Sequence, residues 1–207
     1  MVVKRIHVFY WLVKGDYLMS SIKLKHSGGN SVSISAPTSN PSSDLTLLLP
    51  SNANSTIDTL NRAGNILQVQ HNFNAATGGG FATSSTSYVT NAALPTLAIT
   101  PSSASSKIYV SAYIGMQHDN SGQVENTIYR IISGGATTDL SGGNTYGLVF
   151  KGGTNPEWGY AGVQFVDSPS TTSQVTYTWY SRSEGGQTVT PRHTASSIGI
   201  QLFEIAA

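Results

Sequence analysis

Apolar and polar residues alternate with a period of two through most of the second half of the chain. The pattern is clearest at Ile108, Val110, Ala112 and Ile114, at Ile128, Arg130 and Ile132, at Val175, Tyr177 and Trp179, and at Ile198, Ile200 and Leu202. Successive side chains of a strand point to opposite faces, so this period predicts strands with one face buried. Segments rich in β-branched and aromatic residues extend the prediction to about nine strands, over 66–70, 87–90, 97–100, 107–115, 124–133, 145–150, 160–166, 174–181 and 197–205.

Over 107–113 the second face carries Lys107, Tyr109, Ser111 and Tyr113. Two tyrosines opposite a buried apolar row point to a covered face, such as a contact between subunits. Gly, Ser, Asn and Pro clusters separate the strands, among them Ser133-Gly134-Gly135, Ser141 to Asn144, Gly152 to Pro156 and Glu184-Gly185-Gly186. Only 55–62 could make one or two helical turns, stopped by Gly64. The fold class is all-β: a β-sandwich or jelly-roll head over 65–207, preceded by an extended N-terminal β arm.

That arm, residues 19–64, holds short alternating stretches at Ile22 to Leu24, Val32 to Ile34 and Leu45 to Leu49, broken by Gly28-Gly29-Asn30, Pro37 and Pro41. It has too few apolar side chains for a core, and two-stranded pieces are marginal in water, so it calls for neighbouring chains. Residues 1–18 differ from everything after them. Their apolar run, Ile6 to Val13, is far short of the ~20 residues of a spanning helix, and no small-residue cleavage pattern follows it. They read as an extension upstream of a start at Met19, and no membrane insertion is expected.

Charged residues make up 10% of the 207, against roughly 25% in ordinary soluble domains. Lys4, Arg5, Lys14, Lys23 and Lys25 all precede residue 26, and the remainder is net acidic. Binding to nucleic acid needs a clustered basic face, which the head lacks. With no cysteine there is no disulfide framework and no thiolate site. Robustness must come from packing or oligomerisation.

Catalytic signatures are missing. No phosphate-binding glycine loop and no G-x-S-x-G elbow occurs. The carboxylates Asp119, Glu125, Glu157, Asp167 and Glu184 show no spacing diagnostic of glycosidase chemistry. His118-Asp119-Asn120 offers metal-type ligands but reads as a solvated turn. No catalytic residue, metal or cofactor is assigned, and the chain is expected not to be an enzyme. The Asn54-Ser55-Thr56 triplet reads as chance. The most suggestive patch is Asn155, Glu157, Trp158 and Tyr160, with Tyr146 before it: aromatic rings beside amide and carboxylate groups suit stacking on a sugar. Burial of Trp158 and Tyr160 inside the sandwich or between subunits is the weightier reading, because large aromatics are mostly buried.

KLKHSGGNSVSISAPTSNPSSDLTLLLPSN, from Lys23 to Asn52, resembles the amino-terminal element of marine bacteriophage (cyanophage) virion proteins, tail fibres and appendages among them. ILQVQ, SSTSYVT, LAITPSSASSKIYV, DSPSTTSQVTYTWYSR and SSIGIQLFEIAA look like the head domain that follows it there, so the likeness spans nearly all of 19–207. It implies a phage virion structural protein assembled in the bacterial host cytoplasm. Its arm would attach to other virion proteins, and its head would form a homotrimer similar to the C1q and tumour-necrosis-factor jelly rolls, displaying loops to a host-surface glycan. A capsid-decorating or head-fibre protein without a receptor role is the first alternative, and a polysaccharide-degrading appendage the second.

Overall fold

In the computed structural model, residues 21–25, 27–35, 42, 62–74, 79–118, 122–153, 157–194 and 196–207 are described. The chain divides into two units, Met1–Thr56 and Ile57–Ala207. In the first, β1 (Ser21–Lys25) pairs antiparallel with β2 (Ser31–Ser35), placing Ile22 opposite Ile34 and Leu24 opposite Val32. Gly29, at φ 95°, allows the turn between them. The short arm strands therefore meet each other as a hairpin. The leader 1–18, the stretch 45–49 and the helical turns expected over 55–61 lie outside the described residues.

The second unit runs β3 (Ile66–Asn74), β4 (Phe81–Thr83), β5 (Thr96–Ile99), β6 (Lys107–His118), β7 (Gln123–Ile132), β8 (Thr137–Asp139), β9 (Val149–Gly152), β10 (Glu157–Asp167), β11 (Val175–Ser183), β12 (Val189–Arg192) and β13 (Ile198–Ile205). Every strand pairing is antiparallel, and no helix occurs among the described residues. Two sheets form a β-sandwich. β6 is the axis of the six-stranded sheet. β10 lies along one edge of it, and β13 lies along the other from Lys107 to Ile114, with β3 beyond. Further up that second edge, β12 takes over opposite Gln117 and His118 and carries β4. In the five-stranded sheet β11 lies between β5 and β7, and β8 and β9 share the far edge of β7.

Alternation sends Ile108, Val110, Ile114, Val124, Ile128, Tyr177, Trp179, Ile200 and Leu202 into the space between the sheets, where each is at most 1% exposed. Burying each aliphatic side chain is worth about 1.5–3 kcal/mol. Where the structure departs from the sequence expectation, the causes are local. The strand expected at 87–90 is reduced to a bridge between Val89 and Ser181. The strand expected at 145–150 starts only at Val149, because Gly147 takes φ 71° against Asn126 and Tyr88. β4, β8 and β12 were not foreseen; Pro191 is accommodated in β12 where its pairing with β4 shifts register.

Several polar groups inside the sandwich are paired, whereas both ring nitrogens of the fully buried His118 have no hydrogen-bond partner. Asn126 Oδ1 accepts hydrogen bonds from Trp179 Nε1 at 3.0 Å and Ser181 Oγ at 2.6 Å. Arg130 is on the same face as Ile128 and reaches across to Asp167 at 2.7 Å, while the Tyr177 hydroxyl donates to the other Asp167 oxygen at 2.7 Å. Burial, reinforced by that carboxylate, keeps the Tyr177 phenol protonated far above its usual range. Glu204 accepts from Ser102 N and Oγ, both at 2.7 Å, and from Gln68 Nε2 at 2.6 Å, fastening the β5–β6 loop. Burial opposes the Glu204 charge, but these hydrogen bonds outweigh it and hold the carboxyl below the ordinary range.

Asp167→Ala should destabilise the fold by about 3 kcal/mol in urea unfolding, because it strands a largely buried guanidinium; a loss below about 1 kcal/mol would contradict the role given to Asp167. A carboxyl with a lowered folded pKa stabilises fully above its unfolded value, roughly pH 4.3, and loses that contribution as pH falls through the folded value. Glu204→Gln should therefore flatten the acid limb of the stability curve. Parallel acid limbs for the two proteins would contradict this.

Candidate functional site

The pleat that fills the core also decorates the outer face of the six-stranded sheet, and the register sorts that face into rows. Val166, Tyr109, Phe203 and Val69 form one row across β10, β6, β13 and β3. Next comes a polar row of Gln164, Ser111, Gln201 and His71, and then Gly162, Tyr113, Gly199 and Phe73. Val166, Val69 and Phe73 are 54%, 49% and 60% exposed, and Ile66 at the start of β3 is 56% exposed. The rings are ordered against one another. Tyr109 meets Phe203 edge-on at 5.8 Å, and Tyr113 leans to Phe73 at 6.4 Å. A Cβ at residue 199 would lie 2.5 Å from the Tyr113 ring, so Gly199 is the space into which that ring folds.

On the outside of the five-stranded sheet several side chains pair within the chain. Arg182 Nε donates to the buried Glu125 at 2.6 Å, Arg182 also reaches the Thr145 carbonyl at 2.7 Å, and its guanidinium covers Tyr88 at 4.6 Å. Tyr129 packs on Tyr180 at 4.2 Å, and Thr127 donates to Asp139 at 2.6 Å. Burial pushes the Tyr88 phenol up to about 12 and raises Tyr129 as well. The five-stranded sheet thus ties much of its outer face into polar pairs beside exposed Tyr146 and Phe150, while the outer face of the six-stranded sheet exposes Val69, Phe73 and Val166.

Beyond the glycine row the open face ends in a cleft. β12 and β13 follow the same edge of β6, but between Arg192 and Ile198 the strand pairing with β6 is interrupted opposite Gly115. His193 N donates to the Gly115 carbonyl at 3.1 Å, and the Ser196 hydroxyl lies 2.9 Å and 2.7 Å from the Gly115 and His193 carbonyls. Only glycine fits there: a Cβ at 115 would be 2.2 Å from the Ser196 Cβ. Across from this excursion, β10 raises Trp158 and Tyr160, 61% and 73% exposed, with the Trp158 ring 3.8 Å from that of His193. Gly115, Met116, Trp158, Gly159, Tyr160, His193 and Ser196 line a space of about 160 Å³.

Of the residues singled out from sequence, Trp158 and Tyr160 come together here. Packing of these two inside the sandwich is excluded by their exposure: alternation along β10 points them away from Ala161 and Val163, which take the core positions. Glu157 has the opposite parity. Its carboxylate is paired with Lys151, and that hydrogen bond holds it below the usual range. Tyr146 stacks on Phe150 at 5.0 Å and does not line the cleft. Asn155 lies outside the described residues, as do Asp119 and Asn120. His118 is not in a solvated turn; β6 continues through it and buries it completely. Among the described residues no three His, Asp or Glu side chains converge as a metal site requires. Sequence reading missed Gly115, His193 and Ser196, whose one signal is the break in alternation between β12 and β13.

No family model matches the chain, and no curated protein matches it. Among solved structures it is similar to "Structure of infectious bursal disease virus Gx strain", with 15% identity over 85% of this chain and 42% of that one and a TM-score of 0.42. It is also similar to "Structure of infectious bursal disease virus Gt strain", at 14% identity, 85% and 49% coverage and a TM-score of 0.35. A third is "Crystal structure of infectious bursal disease virus VP2 subviral particle", at 14% identity, 84% and 50% coverage and a TM-score of 0.34. The chain spans half or less of the length of these proteins.

Proposed function

We propose that this chain is a structural protein of a virus particle, a short fibre or appendage whose heads associate as a homotrimer through the outer face of the six-stranded sheet. Its arm joins other virion proteins, and the cleft end of the face is offered to host-surface glycans. The observation that carries the association is the row pattern: aliphatic and aromatic rows flank a polar row, and Val69, Phe73 and Val166 are about half exposed or more in the single chain. Contiguous exposed apolar surface of this kind marks an interaction site.

A second copy is the partner this chemistry fits. The three central rows contain no carboxylate or lysine, so copies meet without like-charge repulsion. Each side-chain amide both donates and accepts, which lets the belt of Gln164 and Gln201 satisfy its own copy. Four strands over the five residues of these rows cover roughly 20 by 17 Å, so Ile66 and the neighbouring loops must add to them to approach the ~800 Å² per partner of a standard interface. β10 adds to the case, because it borders the sheet as eleven residues with no Lys or Pro to discourage edge pairing.

The virion role draws on the resemblance of Met19 to Ala207 to phage appendage proteins. A non-enzymatic role is supported by the state of the carboxylates. Glu125 is held by Arg182, Asp167 by Arg130 and Tyr177, and Glu157 by Lys151, which leaves none of these three placed as half of a glycosidase pair.

Sedimentation of the full chain at micromolar concentration should show three copies. The double substitution Val69→Asp and Val166→Asp, at positions half-exposed in the single chain, should give monomers with unchanged circular dichroism. A wild-type monomer, or a double variant that stays trimeric, would overturn the interface.

A further inference from the structure

We infer that the cleft between Trp158, Tyr160 and His193 is a saccharide site that takes a single neutral pyranose ring. The inference rests on the proposed function for the source of the ligand and adds the residues, the size and the charge of what is bound.

Size comes first. About 160 Å³ corresponds to roughly five waters at ~30 Å³ each, and it lies well below the ~300 Å³ at which pockets for larger ligands begin. One ring fits, with further sugars of an oligosaccharide leaving over the open side. Chemistry then narrows the class. The lining contains no Asp, Glu, Lys or Arg, so no permanently charged group is placed to pair with a phosphate, sulfate, uronate or amine. What it offers is the broad apolar surface of an indole and a phenol, with the Tyr160 hydroxyl and the Ser196 oxygen at the edges. A pyranose has the matching form, with a face of C–H groups and a rim of hydroxyls that both donate and accept.

Preorganisation is the third point. The floor is fixed because the Ser196 hydroxyl is held between two backbone carbonyls over Gly115. The indole is braced by the His193 ring at 3.8 Å, so it need not be ordered when the ligand arrives. The Trp158 and Tyr160 wall stands on β10, and the His193 and Ser196 wall is tied to β6 at Gly115. Trp158 and Tyr160 are in register with Gln117 and Gly115, past the Tyr113 row, so association through the rows below leaves the cleft open. A ring of about twelve non-hydrogen atoms at a modest ligand efficiency binds with a dissociation constant on the order of 1 mM, and three clefts on one trimer multiply such weak contacts.

The test titrates the full-length protein with methyl glucoside, galactoside, mannoside and N-acetylglucosaminide, with glucuronate and sialic acid as charged probes. Saturation-transfer NMR reads the ligand, and tryptophan fluorescence reads the protein. At least one neutral glycoside should bind in the millimolar range, and the glucuronate and sialic acid signals should be weaker. Trp158→Ala and Tyr160→Ala should each weaken binding at least tenfold, whereas Tyr146→Ala, at an exposed aromatic outside the cleft, should leave it unchanged. Both cleft residues are largely exposed, so the melting temperature of the variants should shift little. Absence of binding by every neutral glycoside, preference for the charged probes, or undiminished binding by the two cleft variants would overturn the site. Sedimentation of the same samples separates the two proposals: a trimer that binds none of the sugars sinks only the cleft, and a monomer that binds them sinks only the trimer.

Discussion

β6 carries an apolar row on its inner face and two tyrosines on its outer face, and the rest of the molecule follows from having to cover them. Its inward residues, Ile108, Val110, Ala112 and Ile114, are covered by the five-stranded sheet, which gives the sandwich its core. Its outward residues Tyr109 and Tyr113 have only neighbours in their own sheet, Phe203, Gly199 and Phe73, to lean on. Because the pleat fixes the sides, neither set can be traded for the other without a one-residue slip of the whole strand. The chain supplies one cover, and a copy of the chain is proposed as the other.

A chain with so few charges uses several of them inside. Arg130 and Asp167 close one end of the sandwich, Glu204 fastens the β5–β6 loop, and Glu125 with Arg182 anchors the loop around Thr145. Buried charges tolerate only the geometry that pairs them, so these groups fix which loops dock where more than they add net stability. The surface is left to hydroxyls, amides and aromatic rings. Self-association and sugar recognition both draw on groups of that kind.

The long strands were legible because their alternation is sustained. β6, β7, β11 and β13 fall within about three residues of where periodicity places them, and even Arg130 belongs on the core face where the pattern put it, among isoleucines. β4 and β8 are three residues each, too short to show a period, and β12 is interrupted by Pro191. The tyrosines on the second face of β6 point from sequence to a covered face, and in the single chain they are half-buried. The cleft was only half legible. Trp158 and Tyr160 stood out as aromatics beside a Gly-rich loop, but Glu157 adjoins them in sequence and faces away, while His193 and Ser196 arrive from a distant strand. Sequence proximity ignores the pleat, and it gives no account of an excursion that crosses a glycine on a neighbouring strand.

The central claim, that the open face of the six-stranded sheet is covered by copies of the chain, is tested most directly by hydroxyl-radical footprinting of the full-length protein read residue by residue across a dilution series. Burial between copies predicts that Val69, Phe73, Tyr109, Tyr113, Val166 and Phe203 are protected at high concentration and become reactive together on dilution, while Trp158 and Tyr146 react throughout. Uniform reactivity of the six at every concentration would contradict it.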